Sequence, residues 1–491
     1  MTPVLPALVL LFSGAGCTDG SATGTTGTTT GTPGDSDTAT EPEDAGCGEA
    51  DITGHTVGLL QCHSGADQGY TLLAPLDSTD TFLIDPWGRV LHSWSGEHTP
   101  GSSVYLLDDG TLLRPAKPAR HPVFRGGGVA GLVQRIGWDG EVLWEHELSS
   151  DTSVSHHDVA PLPNGDVLVL VVQEISTTDA QALGRDPSNL GDDGLWMEEV
   201  HQLHPLDDGS TDVVWTWKAI DHLVQDLDPA LPDYGVVAET PGRLDLNPPG
   251  SVSPDFLHLN AIDHDPVHDR IVLSSLGFSE AWVLDHGITT EEARGTAGDL
   301  IYRWGNPQSY GSFSGEDQDF HLQHDVHWIP QGLPGAGDLL LFENGPPGTT
   351  GPLSRAMQVV LPLDEDGAFT GFDARWGPES FEWAWPEPPT GELASDQLGS
   401  AQRLPNGNTL SCEGEHGRLV EVTHGGEVVW EWLNPMTADG AVPQGELPEY
   451  GTQVRANALF RATRIQPDHP GLAGRALTPG VLLEEWVALA E

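Results

Sequence analysis

The apolar and aromatic residues of the chain recur in one short pattern. A polar turn is followed by two or three apolar residues, an aromatic residue, any residue, and then a second aromatic residue or histidine. The pattern occurs six times, and its first aromatic position holds His92, Trp144, Trp215, Tyr302, Trp383 and Trp430. Because side chains at i and i+2 share one face of a strand, each copy predicts a strand whose rings pack against a neighbouring element.

The spacing of the copies predicts the architecture. Successive positions are 52, 71, 87, 81 and 47 residues apart, which fits four-stranded blades of roughly 40–50 residues with loop insertions. A hairpin turn with Asp-Gly or Asn-Gly precedes several copies, in residues 107–113, 162–168 and 404–410, and residues 324–342 hold a longer version that turns at 333–337. We predict an all-β fold, a six-bladed β-propeller.

The first blade is one strand short in the sequence. It offers strand segments near residues 71–74, 81–85 and 90–94. Residues 458–465, near the C-terminus, are apolar and then alternate with polar residues, as a strand would. We predict that this C-terminal strand joins the first blade and closes the ring.

The N-terminus is typical of an exported protein. Residues 4–12 form an apolar run too short to span a bilayer, followed by Gly14-Ala15-Gly16-Cys17. Residues 1–17 are therefore predicted to be a signal peptide, and their end resembles the lipobox of bacterial lipoproteins, in which Cys17 would be lipidated. No Lys or Arg precedes the run, so ordinary cleavage without lipidation stays open. The expected location is a bacterial membrane, in the periplasm or at the cell surface, with the lipid as the protein's only membrane contact.

The remaining chain divides by composition. Residues 18–50 are rich in Gly, Thr, Asp and Glu and are predicted to be a disordered tether. The propeller is expected in residues 51–470 and a C-terminal extension in 471–491. Cys47 and Cys62 stand where a disulfide could close a loop, which leaves Cys412 as a lone buried thiol; all-free thiols are the less favoured alternative in an exported chain.

Charge excludes one class of partner. The chain has 20 Lys and Arg against 74 Asp and Glu, a formal net charge of -54. Nucleic-acid binding needs a basic surface, so we expect no nucleic acid. The charge by itself names no substrate.

Histidines carry the candidate chemistry. When the repeats are aligned on their hairpin glycines, His157 occupies the position that holds Ser102 and Gly399 in other repeats. His258 and His324 occupy closely similar positions in theirs. Equivalent positions on the innermost strands of a propeller surround its central channel. We therefore predict that the three histidines converge there, although they are far apart in sequence.

The use of such a cluster stays open from the residues alone. Three neutral imidazoles suit zinc, but no short ligand spacing supports a metal: His321, His324 and His327 are three apart, which on a strand turns neighbours to opposite faces. A nucleophilic imidazole is the other interpretation. Residues 126–131 match the sequence of a dinucleotide-binding fingerprint, but no helix signal follows them, so we do not interpret them as a nucleotide site. We expect no metal and no cofactor.

Several longer stretches resemble one family. Over most of residues 65–470 the chain resembles the bacterial arylsulfotransferases, in residues 155–159 (SHHDV), 258–262 (HLNAI), 279–286 (SEAWVLDH), 302–307 (YRWGNP), 323–330 (QHDVHWIP) and 402–410 (QRLPNGNTL). The resemblance implies a six-bladed propeller that moves a sulfuryl group from an aryl sulfate ester to a phenol without a nucleotide donor. Both partners would be small molecules.

The resemblance also implies roles for residues. His324 would carry the sulfuryl group as a sulfohistidine, a case of nucleophilic catalysis. His258, and His156 or His157, would hold the sulfuryl oxygens or handle the phenol proton. Asn260 would contact the substrate.

One departure from the family concerns its sulfate-clamping Arg. In this chain the corresponding stretch is residues 273–278, with Leu276 and no cation. Arg355 and Arg403 are the candidates to replace it, although either could be a structural hydrogen-bonding group. The loss keeps a second hypothesis open, a non-catalytic propeller that binds an anionic ligand or partner at the channel. A metal-dependent hydrolase or lyase is a third.

Overall fold

The computed structural model describes residues 52–118, 121–311, 313–346, 353–372, 375–388, 391–451 and 454–487. The predicted signal peptide and tether, with Cys17 and Cys47, lie outside the described residues. Cys62 is disulfide-bonded. Cys412 is a free and fully buried thiol, as predicted. In the described part of the chain no helix is long and apolar enough to cross a bilayer.

Six antiparallel sheets, one for each copy of the aromatic pattern, confirm the six-bladed propeller. From the inside outwards, blade 1 comprises Leu459–Ile465, Tyr70–Pro75, Asp80–Ile84 and Val90–Ser95, and blade 2 comprises Thr99–Pro100 with Tyr105–Leu106, then Leu112–Lys117, Leu132–Ile136 and Val142–Glu147. Blade 3 comprises Ser153–Pro161, Val167–Ile175, Leu195–Pro205 and Thr211–Lys218, and blade 4 comprises Leu259–Asp265, Arg270–Ser275, Glu280–Asp285 and Tyr302–Trp304. Blade 5 comprises His324–Trp328, Leu339–Glu343, Arg355–Val359 and Trp383–Trp385, and blade 6 comprises Ser400–Arg403, Thr409–Glu413, Arg418–Val422 and Val428–Leu433.

Both ends of the described chain complete blades. Leu459–Ile465 pairs with Tyr70–Pro75 as the innermost strand of blade 1, which confirms the predicted closure. The sequence did not predict the strand Gly58–Cys62, which pairs with the outer strand of blade 6. In the extension, Leu483 is buried against blades 6 and 1 and donates its N–H to the carbonyl of Gly88 at 2.9 Å.

Elements outside the blades are short. Two small strand pairs lie outside the blades. Leu223–Val224 pairs with Leu244–Asp245, and Met436–Thr437 pairs with Gly440–Ala441. The α-helices are Thr177–Leu183 and Thr290–Ala293. Single 3-10 turns occupy Pro187–Asn189, Ala219–His222, Val237–Glu239, Thr296–Gly298, Pro307–Ser309, Gly315–Asp317, Gly414–His416, Pro470–Leu472 and Leu483–Glu485.

The hydrophobic core lies between neighbouring blades. Six clusters of buried apolar side chains each draw their members from two adjacent sheets, and together they complete the circle. Every cluster contains aromatic rings of the repeated pattern, such as Trp215 and Trp217 between blades 3 and 4. The rings pack the blades, as the i, i+2 spacing predicts.

The first aromatic position also forms a hydrogen bond in all six copies. Each ring nitrogen or hydroxyl there pairs with an oxygen of the following blade, and each distance lies between 2.8 and 3.0 Å: His92 with Trp138, Trp144 with Thr211, Trp215 with Ile288, Tyr302 with Gly377, Trp383 with His424, and Trp430 with Pro86. Phe, which has no donor, occurs at none of the six positions. The position therefore requires a ring with a polar atom.

A single hydrogen-bonded group in the channel touches all six innermost strands. Arg461 of blade 1 binds Asp158 of blade 3 at 2.8 Å, Asp325 of blade 5 at 2.7 Å and the hydroxyl of Tyr105 of blade 2 at 2.5 Å. Asp158 accepts the N–H of Ile262 of blade 4, and Asp325 accepts that of Ala401 of blade 6. We call these residues the channel network.

The charges of the channel network are buried. The side chains of Asp158, Asp325 and Arg461 are 0%, 5% and 12% exposed. Buried carboxylates are costly unless they are paired, and one guanidinium pairs both. The closing strand therefore brings the cation that permits two blades to place carboxylates in the channel.

Replacing Arg461 tests this dependence. In Arg461→Met two buried carboxylates lose their cation, so the free energy of unfolding should fall by about 3–5 kcal/mol. Urea denaturation measures it. Arg294→Met is the control, because Arg294 pairs with Glu291 on the surface, with both side chains more than half exposed, and such pairs contribute about 0–1 kcal/mol. Equal loss in the two variants would contradict the assignment, and Arg461→Met/Asp158→Asn/Asp325→Asn should recover part of the stability.

Candidate active site

The candidate histidines stand where the innermost strands are irregular. His156 and His157 lie in Ser153–Pro161, His258 directly precedes Leu259–Asp265, and His324 begins its strand. In each of these strands the pairing with the second strand shifts register. Such bulges re-aim side chains. The backbone is left-handed at His157, with φ +52°, and at His258, with φ +43°, a costly conformation that is concentrated at functional sites.

The structure brings these histidines together at one end of the channel. The Nδ1 atoms of His156 and His157 are 2.9 Å apart, and the ring centroids of His157 and His258 are 4.8 Å apart. Phe460, from the closing strand, has its ring 6.1 Å from that of His157 and 6.2 Å from that of His324. His156, His157 and His324 are 3–5% exposed.

Hydrogen bonds fix which nitrogen of His324 is free. Its Nδ1 is 2.7 Å from Oδ1 of Asn344. The amide of Asn344 cannot be reversed, because its Nδ2 donates to the carbonyls of Ser395 and Leu398. Nδ1 of His324 must therefore carry the proton, and the neutral ring keeps its lone pair on Nε2.

Carboxylates orient the other imidazoles. Nδ1 of His258 donates to Asp255 at 2.7 Å, which leaves Nε2 facing the cluster. Nε2 of His156 donates to Glu198 at 2.8 Å, so a neutral His156 accepts at Nδ1 the proton of His157. Glu198 also accepts the N–H of Leu259 and so connects blades 3 and 4 beside the site.

The histidines titrate in different ranges. Burial lowers the pKa of His324 to about 4, against the opposing hydrogen bond with Asn344. Burial also lowers the pKa of His157 well below its usual value, and the neighbouring His258 acts in the same direction. Burial alone would lower the pKa of His258, but Asp255 raises it above the usual value. A neutral and a protonated imidazole can therefore coexist in one cluster.

A glycine loop covers His157. Residues 126–128, which we call the glycine cover, lie between the second and third strands of blade 2. The carbonyl of Gly128 accepts the N–H of His157 at 2.6 Å, and a Cβ at Gly128 would lie 2.2 Å from its imidazole. Flanking Phe124 and Val129 pack on blade 3. The glycines that resemble a dinucleotide-binding fingerprint in the sequence thus let the backbone of this loop lie directly against the imidazole of His157.

Little space remains beneath the glycine cover. The cavity there has a volume of about 20 Å³ and is lined by His156, His157 and His258 but not by His324. An aromatic ring needs about 150 Å³, whereas this volume holds about one water. A larger cavity of about 510 Å³ is lined by Tyr105, Gln402 and Arg464 and by none of the candidate histidines. In the described conformation no aromatic ring fits between the glycine cover and these three histidines.

The remaining predicted residues have different surroundings. Asn260 is fully buried and donates its amide to the carbonyl of Gln323 at 2.8 Å, beside His324. Leu276 donates its N–H to the carbonyl of His258, so the stretch without a cation does adjoin the cluster.

In the described part of the chain, neither candidate replacement for the clamp is hydrogen-bonded or ion-paired with a candidate histidine. Arg355 is bonded to Glu343 and stacks on Phe381. Arg403 donates to Gln358 and stacks on Trp383. The cation that acts on His324 electrostatically is Arg461, which the sequence did not suggest.

The fold and the site together define a propeller with a buried histidine cluster at its channel. The family model described as Arylsulfotransferase (ASST) matches residues 104–435, more than half of the chain, and the chain belongs to this family. No curated protein matches the sequence.

Several solved structures are similar to this chain at low sequence identity. A protein of unknown function from Bacteroides caccae is 12% identical with a TM-score of 0.40, and the match covers 75% of this chain and 94% of that one. The periplasmic gluconolactonase of Pseudomonas aeruginosa is 13% identical with a TM-score of 0.34, covering 75% and 96%. Virginiamycin B lyase of Staphylococcus aureus is 13% identical with a TM-score of 0.29, covering 68% and 69%. Likeness at this level carries no information on function.

The close contact at the glycine cover can be tested by adding one methyl group. Gly128→Ala places a Cβ against the buried ring of His157 at a φ of +71°, so the free energy of unfolding should fall by about 1–3 kcal/mol in chemical denaturation. Gly165→Ala is the matched control: Gly165 also has a left-handed backbone, with φ +90°, but its Cβ would meet no atom within 4 Å, so the variant should lose only about 1 kcal/mol, the lower end of the range for Gly128→Ala. Similar values for both variants would show that the glycine cover does not rest on His157.

Proposed function

We propose that this protein transfers a sulfuryl group from an aryl sulfate ester to a phenol through a covalent intermediate on His324, without a nucleotide donor. Membership of the arylsulfotransferase family supports the reaction class. The observation that carries the intermediate is the fixed tautomer of His324, whose free Nε2 belongs to an imidazole with a pKa of about 4. Such a ring is neutral, and so nucleophilic, throughout the neutral range.

The first step breaks the ester. Nε2 of His324 attacks sulfur, the bond between sulfur and the aryl oxygen breaks, and the departing phenolate takes a proton from His258. The raised pKa of His258 beside Asp255 suits a group that is protonated before this step.

The second step reverses the roles. His258, now neutral, takes the proton of the acceptor phenol, whose oxygen attacks sulfur as the bond to Nε2 breaks. His324 returns as a neutral ring and His258 as a charged one. Asp255 keeps its place in both steps, because it holds Nδ1 of His258 and leaves Nε2 to exchange the proton.

Charge on the sulfuryl oxygens would be met by a protonated His258 in place of the missing Arg. The N–H of Leu276 is already bonded to the carbonyl of His258, and a neutral His157 shares its proton with His156, so neither supplies a further donor. Entry of an aryl group between the glycine cover and His258 would require the glycine cover to move, because the cavity there is smaller than an aromatic ring.

We further propose that the protein acts outside the cytoplasm, anchored by a lipid on Cys17. The disulfide of Cys62 supports an oxidising compartment, since such bonds persist mainly in exported proteins. The short apolar run before Cys17 supports the anchor.

A trapped adduct tests the function. Incubation with a chromogenic aryl sulfate and a phenol should give transfer, and mass spectrometry should find one sulfuryl group on the peptide that contains His324. His324→Ala should lose both, by at least about 10³-fold in rate, as expected for removal of a nucleophile. His424→Ala, an exposed histidine far along the chain, serves as the control.

The outcomes separate the hypotheses. Absence of both transfer and adduct in the native protein would reject the proposal. If the native protein binds the aryl sulfate without turnover and this binding survives His324→Ala, the non-catalytic propeller is supported instead.

The pH profile gives an independent test. Activity needs His324 neutral and His258 protonated, so kcat/KM should fall on acidification only near pH 4 and fall on the alkaline side above the usual histidine range. Asp255→Asn removes the charge that raises the pKa of His258, so the alkaline limb should move to lower pH while the acid limb stays. An acid limb near pH 6.5 in the native protein would contradict the assigned nucleophile.

A further inference from the structure

A second histidine cluster lies on blade 4, at the opposite end from His258. His264 is near the end of the innermost strand, Asp269 is in the turn that follows, and His286 comes directly after the third strand. The residues are 5 and 17 positions apart, a spacing that no short ligand motif has. Among the described residues, none of the three is hydrogen-bonded or ion-paired with the channel network or the candidate active site.

The three side chains converge on one point. Nε2 of His264 is 2.9 Å and Nδ1 of His286 is 2.7 Å from the same oxygen, Oδ1 of Asp269. The three potential ligand atoms all lie within 4.8 Å of one another. A tetrahedral metal with bonds of about 2.0–2.2 Å separates its ligand atoms by roughly 3.3–3.6 Å, so shifts of less than about 1 Å would seat an ion between them.

A neighbouring blade orients one of the ligands. Nε2 of His286 donates to Oε1 of Gln202 on blade 3 at 3.0 Å. The amide of Gln202 is fixed in turn, because its Nε2 donates to Asp166 at 2.6 Å. His286 also packs edge-on against Trp215, with ring centroids 4.9 Å apart. An outer partner that fixes the ring and turns Nδ1 towards the shared point is what metal-binding histidines generally have.

Burial is graded in the way an accessible site requires. The side chains of His264 and His286 are 9% and 10% exposed, whereas that of Asp269 is 53% exposed. The imidazoles are held in the protein while the carboxylate faces solvent. An ion has a path of entry, and water can complete its coordination.

We propose that His264, Asp269 and His286 bind one divalent transition metal ion of the zinc class. Two imidazoles and one carboxylate favour Zn²⁺ and its neighbours over Mg²⁺ and Ca²⁺, which prefer oxygen ligands only. The ion would connect the ends of the first and third strands of blade 4 to the turn that follows the first strand. Through Gln202 it would also connect blade 4 to blade 3. Its role is structural and independent of the proposed transfer reaction.

The test measures stoichiometry and affinity in the full chain. The protein is stripped with a chelator and titrated with Zn²⁺ by calorimetry in about 1 M NaCl, where a Debye length of about 3 Å screens the general attraction of the acidic surface. We expect one Zn²⁺ per chain, a rise in Tm on binding, and no effect of Mg²⁺ at the same concentration.

Variants decide whether these residues hold the ion. His264→Ala and His286→Ala should each weaken Zn²⁺ binding by at least 100-fold, and Gln202→Ala should weaken it about 10–100-fold without removing a ligand. His268→Ala is the matched control: its imidazole lies on the same turn but pairs with Asp265 and not with Asp269, so binding should be unchanged. Circular dichroism of the metal-free variants verifies folding. No Zn²⁺ binding by the native chain, or equal binding by His264→Ala, His286→Ala and the control, would overturn the proposal.

Discussion

The site depends on one buried guanidinium. Arg461 is the only side chain among the described residues seen to bind both Asp158 and Asp325, and those carboxylates directly follow His157 and His324 in sequence. The two carboxylates also accept N–H groups of blades 4 and 6. Because isolated buried carboxylates are costly, the innermost strands can adopt this arrangement only when the last strand of the chain is in place. Closure of the ring and alignment of the histidines are thus a single event.

The outside of the ring is held in another way. There the same hydrogen bond is repeated at each blade boundary, from a ring donor to an oxygen of the next blade, and no charge is involved. Each bond contributes modestly, since a neutral hydrogen bond stabilises by about 0.5–1.5 kcal/mol, but six together define the spacing of the blades. The outer hydrogen bond can be formed by His, Tyr or Trp. The channel network occurs only once among the described residues and depends on the particular side chains that form it.

The repeats made the fold predictable, because aromatic spacing and hairpin glycines act within one blade and are written locally in the sequence. The register of the histidines was visible for the same reason. Their partners were not. Asn344 and Glu198 reach His324 and His156 from other positions 20 and 42 residues along the chain, and no short spacing indicates them. Asp255 is three residues before His258, but the sequence alone does not show that the two side chains meet. Arg461 lies in a segment with a weak strand pattern, whereas Arg403 adjoins the recognisable turn in residues 404–410. The glycines of the glycine cover could be seen in the sequence, but their contact with His157 depends on the neighbouring blade 3.

The glycine cover has a consequence for the fate of a covalent intermediate. A sulfuryl group on an imidazole can be lost to water as well as to a phenol, and the two outcomes distinguish a sulfatase from a transferase. With room for about one water in the cavity lined by His157 and His258, few water molecules could give a proton to His258, a transfer that hydrolysis needs as much as attack by a phenol does, until the glycine cover moves. The partition between hydrolysis and transfer would then be decided less by the histidines than by three glycines, through how long their backbone stays on His157.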